Sequence, residues 1–489
     1  MSVTVRATPR PVEPSAGSVD LLAVPFLRRL LLSRYMPLAF QVLTLIALAW
    51  VIYDGFFGSQ AIDENFATIG VWSIFFWPVI LTSLLFLGRA WCGVCPMGAL
   101  TAAAGRWSRG WTFPRRLSNT SLSLAGFVLI LWILRPILGL SESPIFTAWF
   151  FLVWSAVAVG VGLLFPARAF CRYICPLSAP LSVLARVAPV ALRGGTSGQI
   201  SSSCAGCKGH ECYNGSQTVQ GCPMGEFPAV MDSNAHCSFC LKCLKSCSAE
   251  SRSKGSPLQI RLRWPLVELA QVRKPSVLDS LTVVALAGIF LWHMAIGHEP
   301  RMPGFLHAWS QSAQTLVPSM QLADVEYLVT FTSALVGLGG LLALASFLTA
   351  RLARVSFRRA FAFSGYPVAA LVAFRASGYM IGDVITKAGD WLNYLGSLFG
   401  VYVYFPSAPI SWAYRPLFAA TSYHLWGMLV TIPLAIGLPV ACLLSYKLWR
   451  RLQPSQRGAL LASLPAMAAM LAIVVVYEWA YLSGFQVIR

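Results

Sequence analysis

The chain contains few charged residues. Of its 489 residues only 11% are Asp, Glu, Lys or Arg, whereas 57% are hydrophobic. Ordinary globular proteins carry about 25% charged residues, so this composition excludes a soluble protein of the usual kind. Apolar runs of about 20 residues recur along the sequence, which is the length that an α-helix needs to cross a bilayer. The sequence therefore predicts a mainly α-helical, polytopic membrane protein.

Acidic residues are especially scarce, with 18 Asp and Glu against 37 Lys and Arg. A net charge of +19 could indicate a nucleic-acid-binding protein, but the sequence has no basic stripe with interleaved aromatic side chains. The basic residues instead lie at alternate ends of the apolar runs, such as Arg89 after the second run and Arg168 after the fourth. Because Lys and Arg mark cytoplasmic loops, we expect a multi-pass protein of the cytoplasmic (inner) membrane, without a nucleic-acid partner.

The start of the chain lacks the short apolar core and the small-residue cleavage site of a signal peptide. It is rich in Ser and Pro, and we predict a flexible cytoplasmic tail over residues 1–35. Apolar length and charge alternation then predict about nine membrane spans. Their approximate limits are 36–57, 67–88, 119–138, 145–165, 277–297, 327–348, 363–383, 417–446 and 459–482.

The spans fall into two groups, an N-terminal bundle of four helices over residues 36–195 and a C-terminal bundle of about five over 276–489. A polar insert at 196–275 separates them and contains eight cysteines. Its most informative stretch is Cys237-Ser-Phe-Cys240-Leu-Lys-Cys243-Leu-Lys-Ser-Cys247. This C-x2-C-x2-C-x3-C spacing is that of bacterial ferredoxins, in which three thiolates bind one [4Fe–4S] cube and the fourth reaches a second cube.

The remaining cysteines of the insert complete the ligand count for two [4Fe–4S] clusters, since each cube takes four thiolates. The crossed pattern of two-cluster ferredoxins predicts one cube on Cys204, Cys207, Cys212 and Cys247, and the other on Cys237, Cys240, Cys243 and Cys222. Structural zinc is the alternative, but zinc takes two C-x2-C pairs per site, which is not the spacing found here. We therefore predict a small, inserted ferredoxin-like domain on the cytoplasmic side.

Four further cysteines lie outside the insert. Cys92-Gly-Val-Cys95-Pro96 follows the second predicted span, and Cys171-Arg-Tyr-Ile-Cys175-Pro176 follows the fourth. Both spans end on the same side of the membrane, so we expect both motifs beside the insert. A redox-active dithiol, a metal site, a third cluster and inert buried cysteines are all open interpretations of these four residues. Cys442 stands alone in an apolar span and is interpreted as inert.

Two histidines are candidate haem ligands in the C-terminal bundle. His293 and His424 are expected at a similar depth near the outer ends of the fifth and eighth spans. Two neutral imidazoles on different helices could ligate a b-type haem. The alternative is that they are polar residues that bond to neighbouring helices.

The cysteine motifs resemble those of a family of polytopic membrane iron–sulfur proteins, the NosR/NapH type, and more distantly those of the CcoG-type oxidase assembly proteins. The resemblance depends on W-C-G-V-C-P-M-G at Trp91–Gly98, on F-C-R-Y-I-C-P-L at Phe170–Leu177 and on the two-cluster insert. It covers roughly residues 30–260 and leaves the C-terminal bundle unexplained. It implies a ferredoxin module that faces the cytoplasm and electron transfer between the quinone pool and a partner redox protein.

The function expected from these features is that of a membrane-bound electron-transfer protein. Its two clusters would relay electrons between quinol, or another membrane donor, and a partner redox protein. Whether it is a subunit of a quinol-linked oxidoreductase stays open. Two alternatives remain, namely an assembly or metal-reduction factor that uses the thiols outside the insert, and a transporter regulated by the clusters.

Overall fold

Helices dominate the structure, a computed structural model that describes residues 19–62, 64–76, 83–134, 139–140, 142–194, 209–228, 231–247, 258–293, 304–398 and 416–486. Six helices are long and apolar enough to cross a membrane, namely Leu38–Phe57, Pro144–Leu164, Leu322–Ala353, Phe357–Ile381, Thr431–Arg450 and Gln456–Trp479. Two shorter apolar helices, Ser121–Trp132 and Val277–Leu291, coincide with two more of the predicted spans. The predicted fold class, a mainly α-helical polytopic membrane protein, is confirmed.

The N-terminal bundle is built from long helices joined by short helical turns. Its α-helices are Pro25–Leu32, Leu38–Phe57, Phe66–Thr68, Trp91–Val94, Pro96–Ala104, Ser121–Leu129, Pro144–Leu164 and Ser178–Leu184. Its π-helical turns are Ile69–Phe76, Ser83–Leu87, Ile130–Leu134 and Phe170–Ile174, and its 3₁₀ turns are Leu21–Ala23, Gly105–Trp107 and Arg115–Leu117. The span predicted at 67–88 coincides with the first two π-helical turns, and residues 77–82 lie outside the described residues.

Small residues let the two longest helices of this bundle approach each other closely. A Cβ atom on Gly55 would lie 2.7 Å from the Cβ of Ala148 and 2.8 Å from the Pro144 carbonyl oxygen. Such close approach through glycine and alanine is the usual way in which membrane helices gain packing energy, because lipid provides no hydrophobic drive for association. The contact fixes the helix that begins at Leu38 against the helix that ends at Leu164.

The C-terminal bundle shares an apolar core with the N-terminal bundle, to which Leu84, Phe127 and Val183 contribute. Its helices are Val277–Ala287, continued by the π-helical turn Gly288–His293, then Gly304–Gln314, Leu322–Ala353, Phe357–Leu398, Pro416–Arg450 and Gln456–Gln486. Arg186 of the N-terminal part reaches Asp279 at 3.4 Å, and the Tyr366 hydroxyl donates to the same carboxylate at 2.8 Å. This buried contact connects the two bundles.

The insert is closed at its base by a three-stranded antiparallel sheet. Its strands are β1 (Val19–Asp20), β2 (Val190–Gly194) and β3 (Leu258–Leu262), in the order β1-β3-β2. Val190 pairs with Leu262 and Gly194 pairs with Leu258, so the chain leaves the sheet on one strand and returns on its neighbour. Between them lie the short helices Glu211–Asn214 and Lys242–Ser246, and Val267–Ala270 follows β3.

Part of the tail that the sequence predicts to be flexible over residues 1–35 has regular secondary structure. Residues 1–18 lie outside the described residues, but Val19 pairs with Leu262 and Asp20 with Arg261 on the free edge of β3. A sheet edge offers unpaired backbone groups, and this short strand satisfies them. The helix Pro25–Leu32 then leads into the first membrane span.

Candidate metal centres

The two Cys-Pro motifs begin with the same local structure. Gly88 and Ala167 both adopt left-handed backbone conformations, with φ of +58° and +62°. In each case an arginine follows, and a cysteine lies three residues after that arginine, in Arg89-Ala-Trp-Cys92 and Arg168-Ala-Phe-Cys171. A left-handed alanine is uncommon, and its use at the position that glycine occupies in the first motif indicates a duplicated structural unit.

The two motifs also end alike although their spacings differ. The Cys95 N–H donates to the Trp91 carbonyl oxygen, and the Cys175 N–H donates to the Phe170 carbonyl oxygen, both at 2.8 Å. The second motif has one more residue between its cysteines, and the π-helical turn Phe170–Ile174 accommodates it. Single π-helical turns of this kind occur frequently at functional sites.

The four cysteines of these motifs lie together and interact. Burial raises the pKa of the Cys95 thiol to about 12, and the nearby Cys171 and Cys92 raise it further. Burial also raises the pKa of Cys175 well above its usual range, with Cys171, Cys95 and Cys92 as the next causes. We call Cys92, Cys95, Cys171 and Cys175 the four-cysteine centre. Four clustered thiolates would repel one another, so their ionised form needs a cationic partner such as a metal centre.

Backbone N–H groups favour the thiolate form at this centre. Pro96 is the first residue of the helix Pro96–Ala104, and the N–H groups of Gly98 and Met97 lower the pKa of Cys95 against the effect of burial. The Leu177 N–H has the same effect on Cys175. Amides at a helix N-terminus stabilise a thiolate and its bonds to metal.

Two buried arginines surround the centre. Arg89 is 0% exposed and Arg168 is 2% exposed. Arg168 donates to the Cys92 carbonyl oxygen at 2.6 Å, and Arg89 donates to that of Cys171 at 3.2 Å. Burial raises the pKa of Cys171 to about 11, and Arg168 and Arg89 both lower it. These cations therefore offset part of the negative charge that thiolates bring to this site.

Hydrogen bonds from the spanning helices hold both motifs in place. Gln41 donates to the Gly93 carbonyl oxygen and Thr44 to that of Val94, each at 2.7 Å. Ser123 donates to the Cys175 carbonyl oxygen at 2.6 Å. Side chains on two different helices thus fix the backbone that carries the cysteines, which is how a binding site is preorganised.

A second group of cysteines forms in the insert. Phe239 and Leu241, on either side of Cys240, have φ of +47° and +61°, so the ferredoxin-type loop winds tightly around its cysteines. Burial raises the pKa of Cys243 well above its usual range, and the next causes are, in order, Cys240, Cys237, Cys222 and Cys212. Burial raises the pKa of Cys237 to about 12, while the Phe239 N–H lowers it. The cysteines assigned to the second cube therefore lie together; we call them the insert centre.

The other predicted cube is described only in part. Cys212 interacts with Cys243, and the Cys247 N–H donates to the Cys243 carbonyl oxygen at 3.2 Å. Cys204 and Cys207 lie outside the described residues. The assignment of Cys204, Cys207, Cys212 and Cys247 to one cube therefore stays a prediction.

A buried charge network holds the start of the ferredoxin-type loop against the sheet. Arg193 of β2 forms an ion pair with Glu268, and Glu268 also accepts from the Asn234 N–H at 3.1 Å. The Asn234 side chain donates to the Val190 carbonyl oxygen at 2.8 Å, and the backbone carbonyl oxygen of Asn234 accepts from the Cys237 N–H at 2.9 Å. The first cysteine of the loop is thereby connected to the sheet.

The two centres are in contact. A Cβ atom on Gly93 would lie 2.6 Å from the Ser238 carbonyl oxygen, so the Cys92–Cys95 turn packs directly on the ferredoxin-type loop. Arg89 spans the junction, because it donates to the Ala235 carbonyl oxygen at 2.9 Å as well as to that of Cys171. Cys222 and Met224 of the insert belong to the same apolar cluster as Cys95, Cys171 and Cys175.

The arginines are the functional residues that sequence analysis missed. Arg89 and Arg168 were interpreted as charges that mark a membrane side, whereas the structure buries both against the cysteine motifs. The repeated Arg-Ala-aromatic-Cys pattern is the signal that could have identified them, since a charge that only marks topology has no reason to keep a fixed distance from cysteine.

Comparison with known proteins assigns the same region to iron–sulfur chemistry. Residues 69–113 and 147–190 both match the family described as a 4Fe-4S binding domain, and each segment contains one Cys-Pro motif. The chain is also similar to Protein NirI of Paracoccus denitrificans (strain Pd 1222), with 30% identity over 196 residues. The resemblance to the NosR/NapH-type membrane iron–sulfur proteins is confirmed. The alignment covers 33% of this chain and 28% of NirI, and no solved structure matches.

The donor sets fit [4Fe–4S] clusters. Each centre brings together four cysteines, with backbone N–H groups directed at sulfur, and the four-cysteine centre adds buried arginines. Within the described ranges, no three His, Cys, Asp or Glu side chains are placed to hold one metal ion. A cube binds its four thiolates through four different iron atoms, so the thiolate sulfurs lie further apart than the ligands of one ion.

The haem prediction is not tested. His293 ends the π-helical turn Gly288–His293 and His424 lies on the helix Pro416–Arg450, but their side chains lie outside the described residues. Cys442 interacts with the core of the C-terminal bundle and with none of the other cysteines in the described part of the chain.

Proposed function

We propose that this chain is a membrane electron-transfer protein with at least three [4Fe–4S] clusters, one of them on the four-cysteine centre. The observation that carries the proposal is the contact between that centre and the insert centre through Gly93, Arg89 and Cys222. Such clusters, when bound, supply one-electron redox chemistry. The residues around them exclude water, offset thiolate charge and hold the centres next to each other.

The arrangement suits a relay between the bilayer and a protein partner. The four-cysteine centre lies at the ends of membrane helices, whereas the insert centre lies on a polar domain outside the bundle. We propose that electrons enter from a membrane donor of the quinol type and leave to a partner redox protein that docks on the insert, at the cytoplasmic face. The cytoplasmic side is supported by the Lys and Arg residues at the ends of the spans next to the insert, because such residues mark cytoplasmic loops.

The maturation hypothesis receives less support from the site. A metal-reducing dithiol needs thiols that a partner's metal can reach and that ionise readily. Cys171 is buried, and burial raises its pKa to about 11. Cluster ligation removes this difficulty, because iron replaces the thiol protons.

Elemental analysis of anaerobically purified protein tests the proposal. We expect about twelve iron atoms and about twelve labile sulfides per chain, since each cube contains four of each. Stoichiometric zinc without sulfide would contradict the proposal in full. Iron and sulfide for two cubes only, unchanged by Cys171→Ser, would return the four-cysteine centre to the dithiol interpretation.

A further inference from the structure

A short basic loop follows the first Cys-Pro motif, on the side of the membrane that carries the insert. It comprises residues 107–116, Trp-Ser-Arg-Gly-Trp-Thr-Phe-Pro-Arg-Arg, and we call it the arginine loop. The helix Pro96–Ala104 leads into it. Arg106, immediately before the loop, is close enough to Lys242 of the insert to act on it electrostatically. The loop and the insert therefore lie on the same side.

The three arginines of the loop have no acidic neighbour. Arg109, Arg115 and Arg116 are exposed, and no Asp or Glu occurs between residues 65 and 141. Within the described part of the chain, none of the three forms an ion pair. Three such guanidinium groups attract an anion, and their paired N–H donors match the oxygens of a phosphate group.

Hydrogen bonds hold the loop at the end of a membrane span. The Arg109 N–H donates to the Leu163 carbonyl oxygen at 2.9 Å, and the Trp111 N–H donates to that of Leu164 at 3.1 Å. The span Pro144–Leu164 has 21 residues. This length corresponds to about 30 Å of helix, which is the thickness of the hydrocarbon core. The loop that closes the last turn of this span therefore lies at the depth of the lipid headgroups.

Two exposed tryptophans also indicate the headgroup region. Trp107 is 75% exposed and Trp111 is 52% exposed. Tryptophan is enriched at the membrane–water interface, because its ring is largely apolar and carries one polar N–H. The Arg109 guanidinium lies over the Trp111 ring, 5.7 Å from its centroid. This position, level with the bilayer surface, favours a lipid over a soluble acidic protein as the partner of the arginines.

An aromatic contact connects the loop to the second Cys-Pro motif. Phe113 stacks on Tyr173, with ring centroids 4.6 Å apart and 21° between the ring planes. Tyr173 lies between Cys171 and Cys175 in the sequence. A headgroup on the arginine loop is therefore separated from the segment that carries these cysteines by a single aromatic contact.

We infer that the arginine loop binds the phosphate headgroup of an anionic phospholipid, such as phosphatidylglycerol, from the leaflet next to the insert. The inference requires only that the chain crosses the membrane. It depends neither on the metal that the cysteines hold nor on the direction of electron transfer.

Photolabelling of the full-length protein in lipid nanodiscs tests the inference. The discs contain phosphatidylcholine and a small fraction of a photoactivatable phosphatidylglycerol, and labelled peptides are mapped by mass spectrometry. We expect saturable labelling of residues 107–116. Arg115→Gln/Arg116→Gln should reduce this labelling by at least about tenfold, because each arginine near an anionic membrane surface contributes about fivefold to binding.

Arg358→Gln/Arg359→Gln is the matched control. It removes two exposed arginines from the start of another spanning helix, Phe357–Ile381. The labelling of residues 107–116 should stay unchanged in this variant. An equal loss in both double variants would overturn the inference, because general surface charge would then account for the labelling.

Arg115→Lys/Arg116→Lys separates the charge of the loop from its fold. This variant keeps both positive charges, so its labelling should stay well above that of the glutamine variant, and an equal loss would overturn the inference. Equal labelling by a photoactivatable phosphatidylcholine would also overturn it. Competition by excess inorganic phosphate at constant ionic strength would overturn it in favour of a free phosphate ion. Iron and sulfide are measured on the same samples, so that a missing cluster is distinguished from a missing lipid site.

Discussion

The four-cysteine centre and the insert centre bring similar ligands together by different means. The first takes its cysteines from two copies of one motif at helix ends, held by side chains of neighbouring spanning helices. The second takes three of them from a single loop with two left-handed residues, packed on a three-stranded sheet, and the fourth, Cys222, from an earlier segment of the insert. One is therefore positioned by the membrane bundle and the other by a polar domain. At the contact between the two centres, both scaffolds hold the same residues.

Arg89→Met should have the largest effect on this comparison, because Arg89 belongs to both scaffolds. The substitution removes hydrogen bonds to Ala235, Cys171 and Ser178 in a fully buried place. We expect a loss of about 3 kcal/mol in the free energy of unfolding, and altered EPR spectra of both centres.

Arg106→Met is the matched control, since Arg106 is exposed and follows the same motif. Thermal unfolding in detergent should show almost no change for this variant. If both substitutions left the thermal stability almost unchanged, Arg89 would serve only to mark the cytoplasmic side of the membrane, as the sequence analysis assumed.

Gly93→Ala should reduce stability less than Arg89→Met does, and it should mainly disturb the contact between the two centres. Its Cβ would lie 2.6 Å from the Ser238 carbonyl oxygen, so the turn and the loop must separate. Overpacking of this kind costs about 1–3 kcal/mol. We also expect weaker magnetic coupling between reduced centres, measured by EPR line shape.

Gly160→Ala controls for the change of residue type, because no atom beyond its chain neighbours and the nearby backbone of its own helix lies within 4 Å of the position of its Cβ. That variant should keep the coupling of the unmodified protein. Identical coupling in Gly93→Ala would show that the two centres do not meet at this turn.

Glu226→Gln should have the smallest effect. Glu226 pairs with Arg172 at 3.5 Å near the surface of the insert, and such pairs contribute about 0–1 kcal/mol. Burial raises the pKa of Glu226 while Arg172 lowers it, so the neutral amide relieves part of the burial cost. A loss of stability as large as that of Arg89→Met would mean that the stability of the insert depends on the Arg172–Glu226 ion pair near its surface rather than on its sheet.

Much of the fold follows from apolar length and charge alternation, which predict spans because a helix must bury about 20 apolar residues in lipid. The cysteine spacing predicts the insert centre for a similar reason, since three ligands on one tight loop leave a characteristic interval. The strand at Val19–Asp20 was not predictable, because two residues carry no periodicity and the pairing depends on β3 far along the chain.

The four-cysteine centre lies between these cases. The Cys-Pro motifs could be identified in the sequence. That the two motifs lie together could not be predicted, because it depends on how the helices that carry them pack. The different intervals between the cysteines also hid the repeat, since a π-helical turn compensates for the additional residue. The buried role of Arg89 was hidden by its position at the end of an apolar run, where a charge is usually a topology marker.

The most direct test of the central claim compares the EPR spectrum and iron content of the anaerobically reduced protein with those of Cys171→Ser/Cys175→Ser. The account predicts that the double variant loses about four iron atoms, one cube's worth, and one set of EPR signals, while the signals of the insert remain. Cys442→Ser, the matched control, should lose none. An unchanged iron content and spectrum in the double variant would contradict the claim that the four-cysteine centre holds a cluster.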